Sequence, residues 1–216
     1  MSHTSLRITE VFYSLQGEAG DAGYPTVFIR LTGCPLRCQY CDSEYAFFGG
    51  ERQTIDALLD QVREYPGARV CVTGGEPLAQ PSCLELLTVL CDDGWSVSLE
   101  TSGALDIQAV DSRVSVVMDI KTPGSAEVEK NLWSNIEHLK LKDQVKFVIC
   151  SRDDFEWARF KIDELDLLSR VGNVLISASF GQVAPELLAQ WILDSKLNVR
   201  FQMQLHKLLW GDKPGV

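Results

Sequence analysis

Apolar positions in this chain fall into short, dense runs separated by stretches of helical periodicity. Thr26 to Thr32 is a β-branched, apolar run that ends at Gly33, and Arg69 to Thr73 repeats the pattern before Gly74-Gly75. Further runs cover Ser96 to Leu99, Val114 to Ile120, Val145 to Cys150, Asn173 to Ser177 and Val199 to Met203. Runs of about four to eight residues with little alternation read as strands buried on both faces. Between the first two, Ile55, Leu58, Leu59 and Val62 recur at i, i+3, i+4 and i+7 behind Thr54, which predicts an N-capped helix. A second helix is expected to open with Ser82 and Glu85 in capping-box spacing and to carry Leu84, Leu87 and Cys91 on one face. Asp154 to Leu168 predicts a third, and Pro185 to Leu193, with proline at its first position, a fourth.

Repeated strand-helix units imply a parallel sheet with right-handed crossovers. About six or seven units fit, too few for a closed eightfold barrel. The expected α/β architecture is therefore an incomplete, open (β/α) barrel, with a doubly wound open sheet as the alternative. Leu6 to Gly17 precedes the first unit and predicts an extra strand. No repeat, low-complexity segment or linker-like run divides residues 1–216, which reads as a single domain.

Charge narrows the ligand class. Twenty basic against thirty acidic residues give a net charge of -10, which argues against attachment to nucleic acid by phosphate neutralisation and favours a small ligand. No basic-then-apolar leader opens the chain and no run approaches the roughly 18 apolar residues of a membrane span, so a cytosolic protein without membrane contact is expected. Seven cysteines do not resemble a secreted disulfide framework.

Three of those cysteines, Cys34, Cys38 and Cys41, share one loop in C-x3-C-x2-C spacing. Soft thiolates select zinc, copper(I) or an iron-sulfur cluster, and a structural zinc site normally closes with a fourth Cys or His. No fourth ligand is evident: Cys71, Cys83, Cys91 and Cys150 are scattered, and His3, His138 and His206 lack paired spacing. An iron-sulfur cluster leads, with zinc and a redox thiol site behind it. Other polar motifs follow the same rule of position, each closing a predicted strand: Thr73-Gly74-Gly75-Glu76-Pro77, Glu100-Thr101-Ser102-Gly103 and Asp119-Ile120-Lys121. In barrels and open α/β sheets the active site lies on that face. Glycines there let a ligand approach the backbone, and Glu76 could accept a hydrogen bond from an amine.

With Tyr40 as the aromatic residue of the cysteine loop and Gly74 to Glu76 downstream, the chain resembles the radical S-adenosylmethionine superfamily. Ser14-Leu15-Gln16-Gly17-Glu18, Arg30, Cys41-Asp42-Ser43, Thr73 and Gln204-Leu205-His206-Lys207 resemble its 7-carboxy-7-deazaguanine synthase family over almost the whole length. That resemblance implies a lyase that contracts the ring of 6-carboxy-5,6,7,8-tetrahydropterin in queuosine biosynthesis. It implies a 4Fe-4S cluster on Cys34, Cys38 and Cys41, S-adenosylmethionine on the fourth iron, and Mg2+ on Ser43, where the family usually has Thr. Tyr40, Cys41, Asp42, Gly75, Asp119, Ile120 and Lys121 would meet S-adenosylmethionine. Ser177, Ala178, Ser179 and Phe180 would meet it through the backbone only, because a Gln-Pro sequence common in the family is missing there. Leu15, Gln16, Gly17, Arg30 and Thr73 would contact substrate. A carboxylate ligand or a structural salt bridge would each satisfy Arg30 within its apolar strand. Lys121 and His206 are candidate proton-handling groups. The resemblance also implies a homodimer and an electron donor such as flavodoxin or ferredoxin. A tail proline that approaches substrate in some members has no assigned counterpart among Trp210 to Pro214. A glycyl-radical activating enzyme and a zinc-binding scaffold remain the rival readings.

Overall fold

The structure is a computed structural model that describes residues 4–211, 213 and 215. Its frame is one nine-stranded sheet: β1 (Ser5–Leu15), β2 (Pro25–Leu31), β3 (Glu51–Thr54), β4 (Arg69–Gly74), β5 (Ser96–Thr101), β6 (Ser115–Asp119), β7 (Gln144–Ile149), β8 (Asn173–Ala178) and β9 (Arg200–Gln202). The order is β3-β1-β2-β4-β5-β6-β7-β8-β9. From β2 onward every neighbouring pair is parallel and the order never reverses. Without a reversal there is no topological switch point, so the open barrel holds and the doubly wound alternative does not. The two edges, β3 and β9, do not pair, and the barrel stays open.

The N-terminal run forms the expected extra strand, antiparallel to β2. Its other neighbour, the antiparallel edge strand β3, has no mark in the sequence: Glu51-Arg52-Gln53-Thr54 is polar throughout, as suits an exposed edge. Helix α1 (Ile55–Arg63) buries Ile55, Leu58, Leu59 and Val62, and the Thr54 side chain accepts the Ala57 N–H as its cap. Helix α2 (Cys83–Asp92) corrects the expected face. Cys83, Leu86, Leu87 and Leu90 are buried rather than Leu84 and Cys91, and Ser82 makes no side-chain cap bond. A segment with apolar residues on several faces leaves its inward stripe to be set by the sheet beneath it.

The third predicted helix is two. Helix α3 (Arg152–Glu164) ends where Asp166 turns left-handed at φ 50°, and α4 (Leu167–Arg170) follows. Helix α5 (Pro185–Ser195) begins on its proline, and α6 (Leu205–Trp210) closes the described fold. No helix covers the β5–β6 connection. There the buried Asn135 amide donates to the carbonyls of Gly103 at 3.1 Å and Leu105 at 2.8 Å and accepts Ile107 N–H at 3.2 Å. One side chain thus supplies the pairing that a helix would have made internally. Two apolar clusters fill the space between sheet and helices, one under β2, β4 and β5 and one under β6, β7 and β8. Among the described residues no helix is long and apolar enough to cross a membrane.

Candidate active site

At the carboxyl ends of the parallel strands lies a cavity of about 610 Å3, and the cysteine loop forms part of its wall. The loop starts where β2 stops. Gly33 N–H bonds Ala46 O at 2.8 Å, Gln39 N–H bonds Ser125 O at 3.1 Å, and Arg37 Nη1 donates to Cys34 O at 2.8 Å and Leu36 O at 2.6 Å. Braced this way, Cys34, Cys38 and Cys41 all line the cavity and are half-buried. Burial pushes all three thiols up, Cys38 to about 11. Among the described residues no three Cys, His, Asp or Glu side chains converge on a single-ion site. A cluster that gives each thiolate its own iron asks for no such convergence.

The Gly74-Gly75-Glu76 turn packs directly on this loop. Gly75 N–H bonds Leu31 O at 3.1 Å and Glu76 N–H bonds Gly33 O at 2.8 Å. A Cβ on Gly75 would collide with the Gly33 carbonyl and stand 2.8 Å from Cys34 Cβ, so only glycine permits this approach. Glu76 does not face the cavity as an amine acceptor. It is 0% exposed and accepts from Thr101 Oγ1 at 3.0 Å, Ser102 N at 2.6 Å, Ser102 Oγ and Leu78 N at 3.0 Å. Its carboxylate ties the ends of β4 and β5 together and thereby shapes the wall.

The cavity wall also carries a chain of alternating charges that reaches the cysteine loop, where Lys121 Nζ lies 5.9 Å from the Tyr40 ring centroid. Lys146 Nζ lies 2.6 Å from Glu18 Oε2 and 3.8 Å from Asp119 Oδ2, and Lys121 Nζ lies 2.8 Å from the same Asp119 oxygen. Burial works to raise the Glu18 carboxyl, but the Lys146 ammonium outweighs it and brings the group down to about 2. Gln204 Nε2 donates to Glu18 Oε1 at 2.8 Å and to Asp42 Oδ2 at 3.3 Å, linking the end of the N-terminal strand to the cysteine loop. A second group surrounds Glu100, which accepts from Thr73 Oγ1 at 2.9 Å and Gln16 Nε2 at 3.3 Å. Arg30 makes the structural salt bridge, Nε to Glu10 Oε1 at 2.7 Å, and still lines the cavity. Tyr45 donates to the same Glu10 oxygen at 2.8 Å. Ser43 Oγ donates to Asp42 Oδ1 at 2.8 Å, which leaves two hard oxygen groups side by side on the wall.

Leu15, Gln16, Gly17, Arg30, Tyr40, Asp42, Ser43, Thr73, Gly75, Asp119, Lys121, Ser179 and Phe180 line this cavity along with the three cysteines. Ile120 does not: it is buried in the apolar core, because it alternates away from Asp119 and Lys121. Ser177 is buried within β8, and Ala178 faces a neighbouring, mainly apolar cavity. His206 lines the wall, and its ring occupies the space that a Cβ on Gly17 would need. The question of a proline contact at Pro214 falls outside the described residues. Glu18 and Glu100 stand in motifs legible in the sequence, without a role of their own there; Lys146 is the residue sequence reasoning misses, and a lysine in the apolar strand Gln144-Val145-Lys146-Phe147-Val148-Ile149 is the signal that marks it.

The donor set also fits an adenosyl ligand beside the thiols. Tyr40 Oη and Asp119 Oδ1 are buried at the cavity without a hydrogen-bond partner among the described residues. A carboxylate oxygen left unmatched inside a fold is costly unless a ligand's N–H or O–H supplies the bond. A family model described as the Radical SAM superfamily matches residues 28–123, the stretch from β2 through the cysteine loop to the Asp119-Ile120-Lys121 corner. The fold and the thiol-lined cavity thus define an enzyme of the radical S-adenosylmethionine class, which implies a 4Fe-4S cluster and S-adenosylmethionine.

Whole-chain similarity is narrower. The 7-carboxy-7-deazaguanine synthase of Chlorobaculum tepidum is 42% identical over 216 residues, covering 98% of this chain and 97% of that protein. The enzyme of the same name from Koribacter versatilis is 37% identical over 219 residues, covering 95% and 97%. The chain belongs to the 7-carboxy-7-deazaguanine synthase family, whose members are radical S-adenosylmethionine lyases. The crystal structure of QueE from Escherichia coli shares the fold, with a TM-score of 0.74 at 23% identity, covering 94% of this chain and 96% of that one.

Proposed function

We propose that the chain converts 6-carboxy-5,6,7,8-tetrahydropterin to 7-carboxy-7-deazaguanine with loss of ammonia, in queuosine or 7-deazapurine biosynthesis. One observation carries the reading: a single cavity presents three half-buried thiols together with two charge groups of different character. Cys34, Cys38 and Cys41 would hold the cluster, which together with S-adenosylmethionine supplies a hydrogen-abstracting radical. The chain's own residues then position and isolate the substrate. Glu100, oriented by Thr73 and Gln16, is an acceptor matched to the N–H edge of an aminopyrimidinone ring. Arg30, fixed through Nε by Glu10 and flanked by the Phe12 and Tyr45 rings at 5.7 Å, offers a cation to the substrate carboxylate. The Glu18–Lys146–Asp119–Lys121 chain alternates carboxylate and ammonium along the cavity wall and can hold a proton where ammonia departs.

Ser43 and Asp42 supply adjacent hard oxygens where Mg2+ would sit, taking the rest of its shell from water and substrate. The serine hydroxyl replaces the threonine usual in the family and loses only a methyl. Flavodoxin or ferredoxin as electron donor, a homodimeric assembly and a cytoplasmic location complete the proposal on the strength of the family likeness. The test is anaerobic incubation with reductant, S-adenosylmethionine, Mg2+ and the carboxytetrahydropterin, followed by mass detection of 7-carboxy-7-deazaguanine. Wild type should form it, and Ser43→Ala should need at least tenfold more Mg2+ for half-maximal rate. No product from a protein loaded with cluster would overturn the substrate assignment, and an unchanged Mg2+ requirement in Ser43→Ala would overturn the metal role.

A further inference from the structure

Ser43 occupies the N-cap of the short turn Glu44–Ala46 but makes no side-chain cap bond. A serine in that place usually turns its oxygen onto a backbone N–H of the first turn, which engages a lone pair. Here the hydroxyl instead donates to Asp42 Oδ1 at 2.8 Å, and Ser43 lines the cavity, so the Oγ lone pairs are left for a hard cation. The serine does not hold this rotamer by itself. Without a β-methyl its χ1 moves freely among the staggered wells, whereas threonine is stiff at that torsion.

Asp42 alone is a weak hold. It is exposed, and a bond between two solvated side chains exchanges readily with water. The second hold comes from the other end of the chain: Gln204, which follows β9, donates through Nε2 to the remaining Asp42 oxygen, Oδ2, at 3.3 Å and to Glu18 Oε1 at 2.8 Å. Both hydrogens of that amide nitrogen are thereby used, one on each carboxylate, and the amide oxygen could pair with neither ionised group. Glu18 is anchored in turn, its side chain 13% exposed and its Oε2 2.6 Å from Lys146 Nζ. The backbone seats Gln204 as well, since the next residue, Leu205, donates its N–H to Gly17 O at 3.0 Å. A continuous series of bonds thus runs from the Lys146 ammonium on β7 through Glu18, Gln204 and Asp42 to the Ser43 hydroxyl.

We propose that Gln204 is the positioning residue of the Ser43 metal site: through Asp42 it holds the serine hydroxyl with its lone pairs toward the cavity, and so supplies the stiffness that a β-branched side chain would carry at position 43. The inference rests on the Mg2+ role proposed above and deepens it. Gln204 acts on the cation only through Asp42 and Ser43, so its effect depends on which residue stands at position 43.

The test uses cluster-loaded protein with S-adenosylmethionine and the carboxytetrahydropterin but no reductant, so that nothing turns over, and reads binding of Mn2+ as the Mg2+ probe by electron paramagnetic resonance. Gln204→Leu keeps the bulk of the side chain and removes the donor. It should weaken Mn2+ binding about fivefold, the worth of one hydrogen bond beside a charge, and raise the Mg2+ needed for half-maximal turnover by a similar factor. Iron and sulfide content should match wild type. In a Ser43→Thr background the same substitution should weaken Mn2+ binding by less than about twofold, because the methyl takes over the hold. Unchanged Mn2+ affinity in a folded Gln204→Leu protein would overturn the proposal. So would an equal loss in the serine and threonine backgrounds, or a loss of substrate affinity with Mn2+ binding intact, which would make Gln204 a substrate contact. A wild type that forms product yet binds no Mn2+ would instead overturn the metal role on which the inference rests and leave the pterin reaction standing.

Discussion

Replacing Lys146 by methionine removes the cation that faces both Glu18 and Asp119. The two side chains of the closer pair are 16% and 13% exposed, so solvent screens their 2.6 Å contact weakly. The difference between an ordinary glutamate at 4.5 and Glu18 at about 2, taken at 1.36 kcal/mol per pH unit, corresponds to about 3 kcal/mol of stability at neutral pH. Breaking a buried pair from one side costs roughly 3–5 kcal/mol by general experience, because a carboxylate stays behind without its cation. For a chain of this length each kcal/mol moves Tm by about 2–4 °C, so the melt should fall on the order of 10 °C. Equilibrium urea denaturation at pH 7 reads the quantity directly. Since the folded value for Glu18 lies below the unfolded one, its contribution is complete above about pH 4.5 and fades as pH falls toward 2. The gap between wild type and Lys146→Met should therefore narrow over that window. Glu18→Gln/Lys146→Met, which leaves no unpaired carboxylate at position 18, should be more stable than Lys146→Met alone. A loss below about 1 kcal/mol, or a double variant no better than the single, would refute the reasoning.

Gly75→Ala should leave circular dichroism unchanged while lowering the iron and sulfide retained after anaerobic reconstitution, because its Cβ would push on Gly33 and on Cys34 Cβ at 2.8 Å; wild-type retention would mean that turn and loop separate freely. Glu76→Ala strands the Leu78 and Ser102 N–H groups inside the fold and should cost on the order of 3 kcal/mol in thermal or urea unfolding. A loss within about 0.5 kcal/mol, as at an ordinary surface site, would show that the β4–β5 tie is dispensable.

The parallel strands were legible because each is an apolar run ended by glycine or a polar corner, and those corners are where the cavity lies. What escaped notice has physical causes. Strand β3 is polar on both faces, so neither alternation nor hydrophobicity marks it. The inward stripe of α2 is ambiguous among many apolar residues, and the break at Asp166 rests on a left-handed backbone that aspartate tolerates but does not announce. Glu76 stands next to the right glycines, yet its oxygens serve Thr101 and Ser102, residues a strand away in sequence, in place of the amine its position suggests. Lys146 and Glu18 are 128 positions apart, and only the folded sheet brings them together. Arg30 shows the reverse case: the salt bridge and the ligand-facing position, set against each other from sequence, coexist, since Glu10 engages Nε while the side chain still borders the cavity.

Everything proposed for the cavity rests on what Cys34, Cys38 and Cys41 hold. Metal and acid-labile sulfide analysis of anaerobically purified protein asks this directly. The account predicts a brown protein with about four irons and four sulfides per chain, lost together in Cys34→Ala, Cys38→Ala or Cys41→Ala. A colourless protein with one tightly bound zinc per chain, released by the same substitutions, would contradict it.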